Sequence, residues 1–379
     1  MERLIYMDNA ATTRLCDAAV SAMIPFLQEE YANPSGNYEF AYKVRRAVEK
    51  ARKDIAMLIN AREDEIYFNS GGTEGDNQAL RTFVSVINGK FAVSKIEHHA
   101  VLNTCDDISR WGGKVQYIDV DKEGIVNLDY IKNIIDDTDL ISVMAANNEI
   151  GTIEPIKEIG NIKKGKNTLF HVDAVQAFGH IPIDVNELNI DILTASAHKF
   201  GGPKGVGFMY VRRGKVFKPF ITGGSQERGK RGGTHNTTGI VAMAAAARQN
   251  VENMSKYKEY EIKLRDIMIS RLLSEIPDSR LNGSGLNRLP GNVNISFKGI
   301  DGQALLMFLD DNNICASTAS ACSASDNKIS HVLEAIDVPG DYTAGTIRLT
   351  LNHENNIYQV MKVCEVIKAG VLMLRNLSS

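Results

Sequence analysis

A single lysine stands where a predicted buried strand gives way to a glycine-rich loop. Residues 191–195 form an apolar run typical of such a strand, Ser196, His198 and Lys199 follow it, and residues 201–203 turn the chain. An amine in a dry, dipole-rich corner loses part of its charge, because desolvation disfavours the ammonium form. Lys199 could therefore act as a nucleophile in Schiff-base chemistry, or it could be an ordinary loop lysine that caps a turn.

A second segment has the character of a phosphate site. Gly72 and Thr73 open a predicted helix directly after a predicted strand at residues 66–68. Glycine lets the backbone approach a ligand closely, and a helix N-terminus offers unpaired N–H groups to an anion. The segment therefore predicts either a phosphate cradle or simply a well-capped helix.

Three further predicted strands, at residues 91–94, 140–146 and 169–172, also end in polar side chains. Ligands of open α/β sheets bind beyond the carboxyl ends of the strands, so we expect these side chains to meet in one crevice. The residues expected there are Gly72, Thr73, His98, Asn148, Asp173, Gln176 and Lys199.

The paired histidines, His98 and His99, do not predict a metal site. No Asp, Glu or Cys stands at the spacing that would complete a set of metal ligands. We therefore expect no metal and assign an aromatic stacking role to one of the two rings. A lysine, an aspartate, a stacking ring and a phosphate cradle at successive strand ends are the groups that pyridoxal phosphate requires. Each could separately be a satisfied cap or turn, but their combination favours this cofactor.

The order of these motifs resembles that of the cysteine desulfurases, which belong to fold type I of the pyridoxal-phosphate enzymes within the class V aminotransferase superfamily. The resemblance covers nearly the whole chain, and ordered motifs over such a span are highly specific. The matching segments are residues 8–13, 70–74, 97–98, 147–151, 171–174, 196–199, 231–234, 320–322 and 347–348.

The resemblance implies a role for each cofactor residue. Lys199 would be the Schiff-base lysine and Asp173 would face the pyridine nitrogen. Gln176 would lie near the phenolic oxygen, while His98 would stack on the ring and exchange a proton with the substrate sulfur. The implied phosphate ligands are Gly72, Thr73, Ser196, His198 and, from the partner subunit, Thr234. The last of these implies a homodimer with shared active sites.

The resemblance also implies how the substrate, L-cysteine, is bound. Its carboxylate would be held by Arg348 and Asn148, with Asn33 nearby, and a guanidinium suits this role because it binds a carboxylate through two parallel hydrogen bonds. The implied reaction converts L-cysteine to L-alanine and leaves the sulfur on the enzyme as a persulfide.

A segment of small residues at about 315–327 carries the expected sulfur nucleophile, Cys322. No large side chain anchors the segment, so we expect it to be mobile. Cys322 alone could be a silent cysteine, but it matches the family's Ser-Ala-Cys, whereas Cys315 follows an apolar residue and is expected to be structural. The chain has Ala319 where a longer form of the family motif has glycine, which leaves the preferred shape of the segment open.

Several functions remain compatible with the sequence. A selenocysteine lyase or a class V aminotransferase would use the same cofactor site, and the aminotransferase would not need Cys322. A catalytically inactive binding module in sulfur metabolism is a third possibility, although the presence of both Lys199 and Cys322 argues against it. The sulfur acceptor, either an iron–sulfur scaffold or an enzyme of tRNA or cofactor thiolation, stays open because no extended tail of the housekeeping type follows residue 375.

The elements that must position these residues alternate between helix and strand patterns, which predicts an α/β protein. The resemblance implies a large domain with a mostly parallel seven-stranded sheet between helices, and a smaller α+β domain. We expect residues 14–256 to form the large domain. Residues 1–13 and 257–379 would form the small domain that carries the nucleophile segment.

Composition narrows the class of protein further. The 379 residues carry a net charge of −3, with 44% hydrophobic and 23% charged residues, which offers no basic face for nucleic acid or anionic lipid. No uncharged apolar run approaches membrane-spanning length. The five cysteines show no CxxC spacing, which argues against disulfides and zinc. We therefore expect a cytoplasmic enzyme that binds neither nucleic acid nor membranes.

Overall fold

The computed structural model describes residues 4–318 and 329–378. The strands are β1 (Ile5–Tyr6), β2 (Ile66–Asn69), β3 (Lys90–Ser94), β4 (Lys114–Ile118), β5 (Leu140–Ser142), β6 (Leu169–Asp173), β7 (Ile192–Ser196), β8 (Gly207–Val211), β9 (Ser279–Leu281), β10 (Asn292–Phe297), β11 (Ile314–Cys315), β12 (Ser317–Thr318) and β13 (Thr346–Thr350). The helices are α1 (Asp17–Gln28), α2 (Glu39–Leu58), α3 (Gly72–Thr82), α4 (His99–Arg110), α5 (Leu128–Ile134), α6 (Ile156–Lys163), α7 (Gln226–Gly229), α8 (Thr237–Glu275), α9 (Gly302–Asp311), α10 (His331–Ala335), α11 (Gly340–Thr343) and α12 (Ile357–Ser378). Short 3-10 turns lie at Glu63–Glu65, Ile135–Asp137 and Ala197–Lys199.

A seven-stranded sheet forms the centre of the first part of the chain, with the strand order β2-β8-β7-β6-β5-β3-β4. Strand β8 runs antiparallel to both of its neighbours, and the other pairs are parallel. All residues of β7 and β8 are buried, as expected for strands covered by helices on both faces. The predicted α/β class with a mostly parallel seven-stranded sheet is confirmed.

A smaller antiparallel sheet, with the order β12-β13-β10-β9, packs with α9, α12 and the second half of α8 around a separate apolar core. The N-terminal strand β1 joins this part of the molecule because it pairs with β11. Helix α8 is continuous from Thr237 to Glu275 and so runs through the predicted domain boundary at residue 256. None of the helices within residues 4–318 and 329–378 combines the length and apolarity needed to cross a membrane.

One predicted strand is shorter than expected. Residues 140–146 are buried and apolar apart from Ser142, but β5 ends at Ser142. The backbone of Ala145 still donates a hydrogen bond to the carbonyl of Asp173, at 2.8 Å, while Ala146 turns away to bridge with Ile153. The apolar pattern predicted burial correctly. Burial alone does not show where the regular hydrogen bonding of the strand ends.

Helix α3 packs unusually close to β7, and a glycine permits this approach. A methyl group at Gly75 would lie 2.5 Å from Cγ2 and 2.9 Å from Oγ1 of Thr194. The helix N-terminus that follows β2 is thereby held against the strand that carries Lys199 at its end.

This contact predicts the effect of Gly75→Ala on stability. Alanine in a helix interior usually gains roughly 0.5–1 kcal/mol over glycine, but overpacking costs about 1–3 kcal/mol, so we expect net destabilisation by about 1–2 kcal/mol. Urea unfolding measures the difference. Adding Thr194→Ser, which removes the clashing methyl group, should recover most of the loss, whereas a stabilised single variant would contradict the predicted clash.

Candidate active site

A cavity of about 280 Å³ opens at the carboxyl ends of the parallel strands. It is bounded by the start of α3, the ends of β6 and β7, β13 and residues 4–13, which we call the N-terminal arm. Most of the site residues predicted from the sequence line this one cavity. They are Gly72, Thr73, His98, Asn148, Asp173, Gln176, Ser196, His198, Lys199 and Arg348.

Two predicted residues of the described part of the chain do not lie in the cavity wall, and the position of a third is not described. Asn33 and Thr234 are exposed and line other parts of the surface. Cys322 lies outside the residues that the structure describes, as do Ala319 and most of the predicted nucleophile segment. Its expected structural counterpart, Cys315, lies in β11 and pairs with Tyr6 of β1.

Lys199 follows directly after β7, in the turn Ala197–Lys199. Its Nζ donates hydrogen bonds to the carbonyl oxygens of Ala10 and Ala11, at 2.6 and 2.9 Å. Gln176 donates to the same Ala10 carbonyl, at 3.0 Å. The N-terminal arm therefore crosses the cavity floor and holds the lysine by its backbone, a contact that no side-chain pattern could have indicated.

Asp173 ends β6 and has only 5% of its surface exposed. Burial raises the pKa of its carboxyl group to about 6, while a 2.8 Å hydrogen bond from the Val175 N–H and the charge of Lys199 oppose the rise. The carboxyl group is therefore mainly ionised at neutral pH. It can hold a proton on a neighbouring ring nitrogen, because an opposite charge favours the protonated form of that nitrogen.

His98 caps the N-terminus of α4, and its Nδ1 accepts a hydrogen bond from the Ala100 N–H, at 3.1 Å. The ring proton of the neutral form therefore lies on Nε2. Burial, together with the charge of Lys199, lowers the pKa of His98 to about 4. His198 has its pKa lowered to about 4 for the same two reasons. Both imidazoles are neutral at physiological pH.

The start of α3 forms a cradle that only glycine can line. Gly71 has φ +140°, a conformation that residues with side chains rarely adopt, and a methyl group at Gly72 would lie 2.7 Å from Cγ2 of Val175. Gly72 and Thr73 line the cavity, and because the N–H groups of a first helical turn have no partners within the helix, this N-terminus can bind an anion. Ser196, at the end of β7, adds a hydroxyl group close to Gly71.

Arg348, in β13, is almost fully buried. One terminal nitrogen donates to Oδ1 of Asp8, at 2.8 Å, and the other donates to the carbonyl of Asn148, at 3.0 Å. Its Nε has no hydrogen-bond partner among the described residues. The guanidinium group is thus held rigidly while part of its donor capacity remains unused.

Sequence reasoning missed several parts of the cavity. Asp8 belongs to a segment that matches the family motifs, but its pairing with Arg348 was not predicted.

Glu149 and Asp76 line the cavity and were not predicted either. Burial raises the pKa of Glu149 to about 7. Burial, together with the negative charge of Asp173, raises the pKa of Asp76 well above its ordinary value. The other unpredicted lining residues are Ala10, Ala11, His99, Met144, Val175 and His331.

Comparisons with known proteins agree with this geometry. The model of the class-V aminotransferase family matches residues 5–363. A cysteine desulfurase IscS from Methanosarcina thermophila is 47% identical over 380 residues, which cover 99% of this chain and 94% of that protein. A solved NifS-like protein has a TM-score of 0.92 at 37% identity, covering 98% of this chain and all of the other. A structure described as SspA in complex with cysteine has a TM-score of 0.81 at 34% identity, covering 92% of this chain and 98% of that one.

The chain therefore belongs to the class-V aminotransferase family, and it shares the fold of the NifS-like protein. Within that family it is one of the cysteine desulfurases, which are pyridoxal-phosphate enzymes. The resemblance inferred from the ordered motifs is confirmed.

The lowered pKa of His98 predicts how stability depends on pH. The unfolded chain binds the imidazole proton near pH 6.5 and the folded chain only near pH 4, so this group destabilises the fold as pH falls between those values. The contribution should reach about 2 kcal/mol at pH 5.

His98→Asn keeps an N-cap acceptor but removes the titration. Urea unfolding at pH 7.5 and pH 5 should therefore show a smaller loss of stability for the variant than for the native protein, by about 2 kcal/mol. Identical losses would show that His98 is not held neutral by the fold.

Proposed function

We propose that the cavity binds pyridoxal phosphate, and that this desulfurase converts L-cysteine to L-alanine and carries the sulfur as a persulfide on Cys322. The observation that carries the proposal is the placement of Lys199 and Asp173 at adjacent strand ends, with the buried Arg348 across the same cavity. An amine, a carboxylate and a guanidinium are thereby available to an aldehyde, a ring nitrogen and a substrate carboxylate.

The residues of the cavity fit the cofactor. The glycines and the first N–H groups of α3 suit a phosphate, since Gly71 has a backbone conformation that side chains rarely adopt and a methyl group at Gly72 would clash with Val175. Lys199 would form the covalent link, and Asp173 would hold the proton of the ring nitrogen. The remaining cofactor contacts would come from His98, Gln176, Ser196 and His198, all of which line the cavity.

The bound cofactor would supply an electron sink for the charge that develops on the substrate's α carbon. Lys199 would take the proton from that carbon, because its amine is released when the substrate amine replaces it. Before it reacts, its Nζ can be held by the carbonyl groups of Ala10 and Ala11, which accept hydrogen bonds from it.

Arg348 would bind the substrate carboxylate, with Asn148 beside it. Its pairing with Asp8 fixes the plane of the guanidinium group, so little side-chain freedom is lost on binding. Asn33 is proposed as a nearby contact, although it is exposed and does not line the cavity of its own chain.

The sulfur step would follow at the substrate thiol. The Cys322 thiolate attacks the substrate sulfur, so that a sulfur–sulfur bond forms and the carbon–sulfur bond breaks. The electron pair of the broken bond stays on carbon, which is then protonated and leaves as alanine. His98, neutral at physiological pH, would first donate its Nε2 proton at the substrate sulfur and then take it back there, because Nδ1 accepts from the Ala100 N–H.

The proposal extends to the assembly. Thr234 is exposed in a loop before α8, which supports a role at the phosphate of a second copy and thus a homodimer with shared sites. We keep residues 14–256 as the large domain, with residues 1–13 and 257–379 as the small one. The sulfur acceptor would be an iron–sulfur scaffold or a thiolation enzyme. Persulfide transfer to each partner recovered from native lysate distinguishes these acceptors.

The first test concerns the cofactor. Native protein reconstituted with pyridoxal phosphate should be yellow, whereas Lys199→Ala should lose both the covalent absorbance and turnover. Visible spectra before and after dialysis measure this. A native protein that retains no pyridoxal phosphate when it is supplied in excess would contradict the proposed use of the cavity.

The second test separates desulfurase from aminotransferase chemistry. Cys322→Ser should still bind cysteine and change colour, but alanine release should fall by several orders of magnitude, because an oxygen nucleophile cannot form the persulfide. Cys315→Ser is the matched control and should be nearly silent. Alanine and sulfide are followed with reductant present, alongside mass spectrometry of Cys322 for an added sulfur.

Each rival activity has its own signature in these assays. Near-normal alanine release by Cys322→Ser would favour the aminotransferase-like route. Faster turnover of selenocysteine than of cysteine by the native protein would favour the lyase. An inactive binding module would turn over neither amino acid.

A further inference from the structure

The loop that carries Thr234 begins at an irregular turn. In α7, Glu227 and Arg228 have φ of 46° and 55°, and Gly229 follows with φ 73°. Three consecutive residues in the left-handed region are rare, because a side chain there crowds the following carbonyl group. Two of the three have side chains, so other contacts must hold the turn in this shape.

The carboxylate of Glu227 provides those contacts. The residue is 4% exposed, and its two oxygens accept hydrogen bonds from both terminal nitrogens of Arg52, at 2.7 and 2.8 Å. The Phe68 N–H donates to the same carboxylate, at 2.8 Å. Burial alone would raise the pKa of Glu227, but its partners lower it to about 2, so the group is ionised. The turn is thereby fixed to α2 and β2.

The same carboxylate reaches the residue next to Thr234. Nε2 of His235 lies 2.8 Å from Oε1 of Glu227. Glu227 therefore joins both ends of the segment that contains Thr234: its own turn before the segment and His235 after it. The hydroxyl-bearing residue lies between them on the exposed side of the loop.

A second ion pair ties this loop to the phosphate cradle of its own chain. Nε of Arg231 donates to Oε1 of Glu74, at 2.9 Å, and the other Glu74 oxygen accepts from the Ser70 N–H, also at 2.9 Å. Glu74 lies in the first turn of α3, next to Thr73. The loop is therefore fixed at residues 227, 231 and 235, which leaves Thr234 little freedom of its own.

We propose that Glu227 is a positioning residue that presents Thr234 to the phosphate site of a second copy of the chain. The inference rests on the proposed function, in which two copies share their sites. The new element is that Glu227, which lies outside the active-site cavity, controls how tightly the cofactor of the second copy is held. If the carboxylate of Glu227 were lost, the left-handed turn at residues 227–229 would relax into a different conformation.

Mixed dimers with two affinity tags test this proposal. One subunit carries Lys199→Ala, so covalent pyridoxal phosphate reports only the site of the other subunit. Glu227→Gln is placed either in the Lys199→Ala subunit, which would supply Thr234 to the reporting site, or in the reporting subunit itself. The readout is the rate at which the visible absorbance of bound pyridoxal phosphate decays on dilution.

The expected result is a loss at least about tenfold faster when Glu227→Gln is in the Lys199→Ala subunit, and near-normal retention when it is in the reporting subunit. Arg52 keeps a second partner, Glu49, at 3.0 Å, so the variant retains compensation for that buried charge. His235→Ala breaks the link to Thr234 without touching Arg52 and should give the same asymmetry. Glu65→Gln, at another buried carboxylate that accepts a backbone N–H, is the matched control and should change nothing.

Thr234→Val, placed in the same two arrangements, distinguishes the sharing of sites between copies from the positioning role of Glu227. If it has no effect from the opposite subunit, sharing of sites fails and the proposed assembly with it. If it acts from the opposite subunit while Glu227→Gln and His235→Ala are silent, the positioning role of Glu227 is overturned. Equal effects of Glu227→Gln in the two subunits, or loss of the dimer, would also overturn it.

Discussion

The other groups of the site depend on the electrostatic interactions of the positively charged Lys199 amine. The carbonyl groups of Ala10 and Ala11 hold the amine at the cavity floor through two hydrogen bonds. The charge helps to keep His98 and His198 neutral, and it opposes the effect of burial on Asp173. Burial and this one cation together keep both imidazoles neutral and leave Asp173 mainly ionised at neutral pH.

The N-terminal arm links the two halves of the site mechanically. Within a few residues it contacts Lys199 through backbone carbonyls and Arg348 through Asp8. The arm is itself held by β1 pairing with β11 and by a hydrogen bond from the Ala10 N–H to Oγ1 of Thr350. The group proposed for the cofactor and the group proposed for the substrate carboxylate are therefore positioned by one stretch of backbone. A shift of the small antiparallel sheet would move both together.

Local pattern predicted the α/β class and seven of the residues that line the cavity, while the seven-stranded sheet and the role of Arg348 were implied by the family resemblance. Apolar runs located several of the strands, and the rule that ligands bind beyond the strand ends brought Asp173 and Lys199 together. The remaining contacts are non-local. The pairing of Asp8 with Arg348 spans 340 positions. The contacts of Lys199 with backbone carbonyl groups cannot be predicted from a pattern of side chains. The strained turn at Glu227 was not predicted either, because its left-handed shape arises from contacts with α2 and β2 rather than from glycine.

The carboxyl groups that line the cavity show how burial assigns roles to chemically similar residues. Burial raises the pKa of Asp76 well above its ordinary value and that of Glu149 to about 7. Asp173 is equally enclosed, yet its pKa rises only to about 6, because a backbone N–H and Lys199 favour the charged form. Environments that separate the pKa values of neighbouring acids also separate their functions. Near neutral pH Asp173 is thus more fully ionised than Glu149, which suits it to face a protonated ring nitrogen.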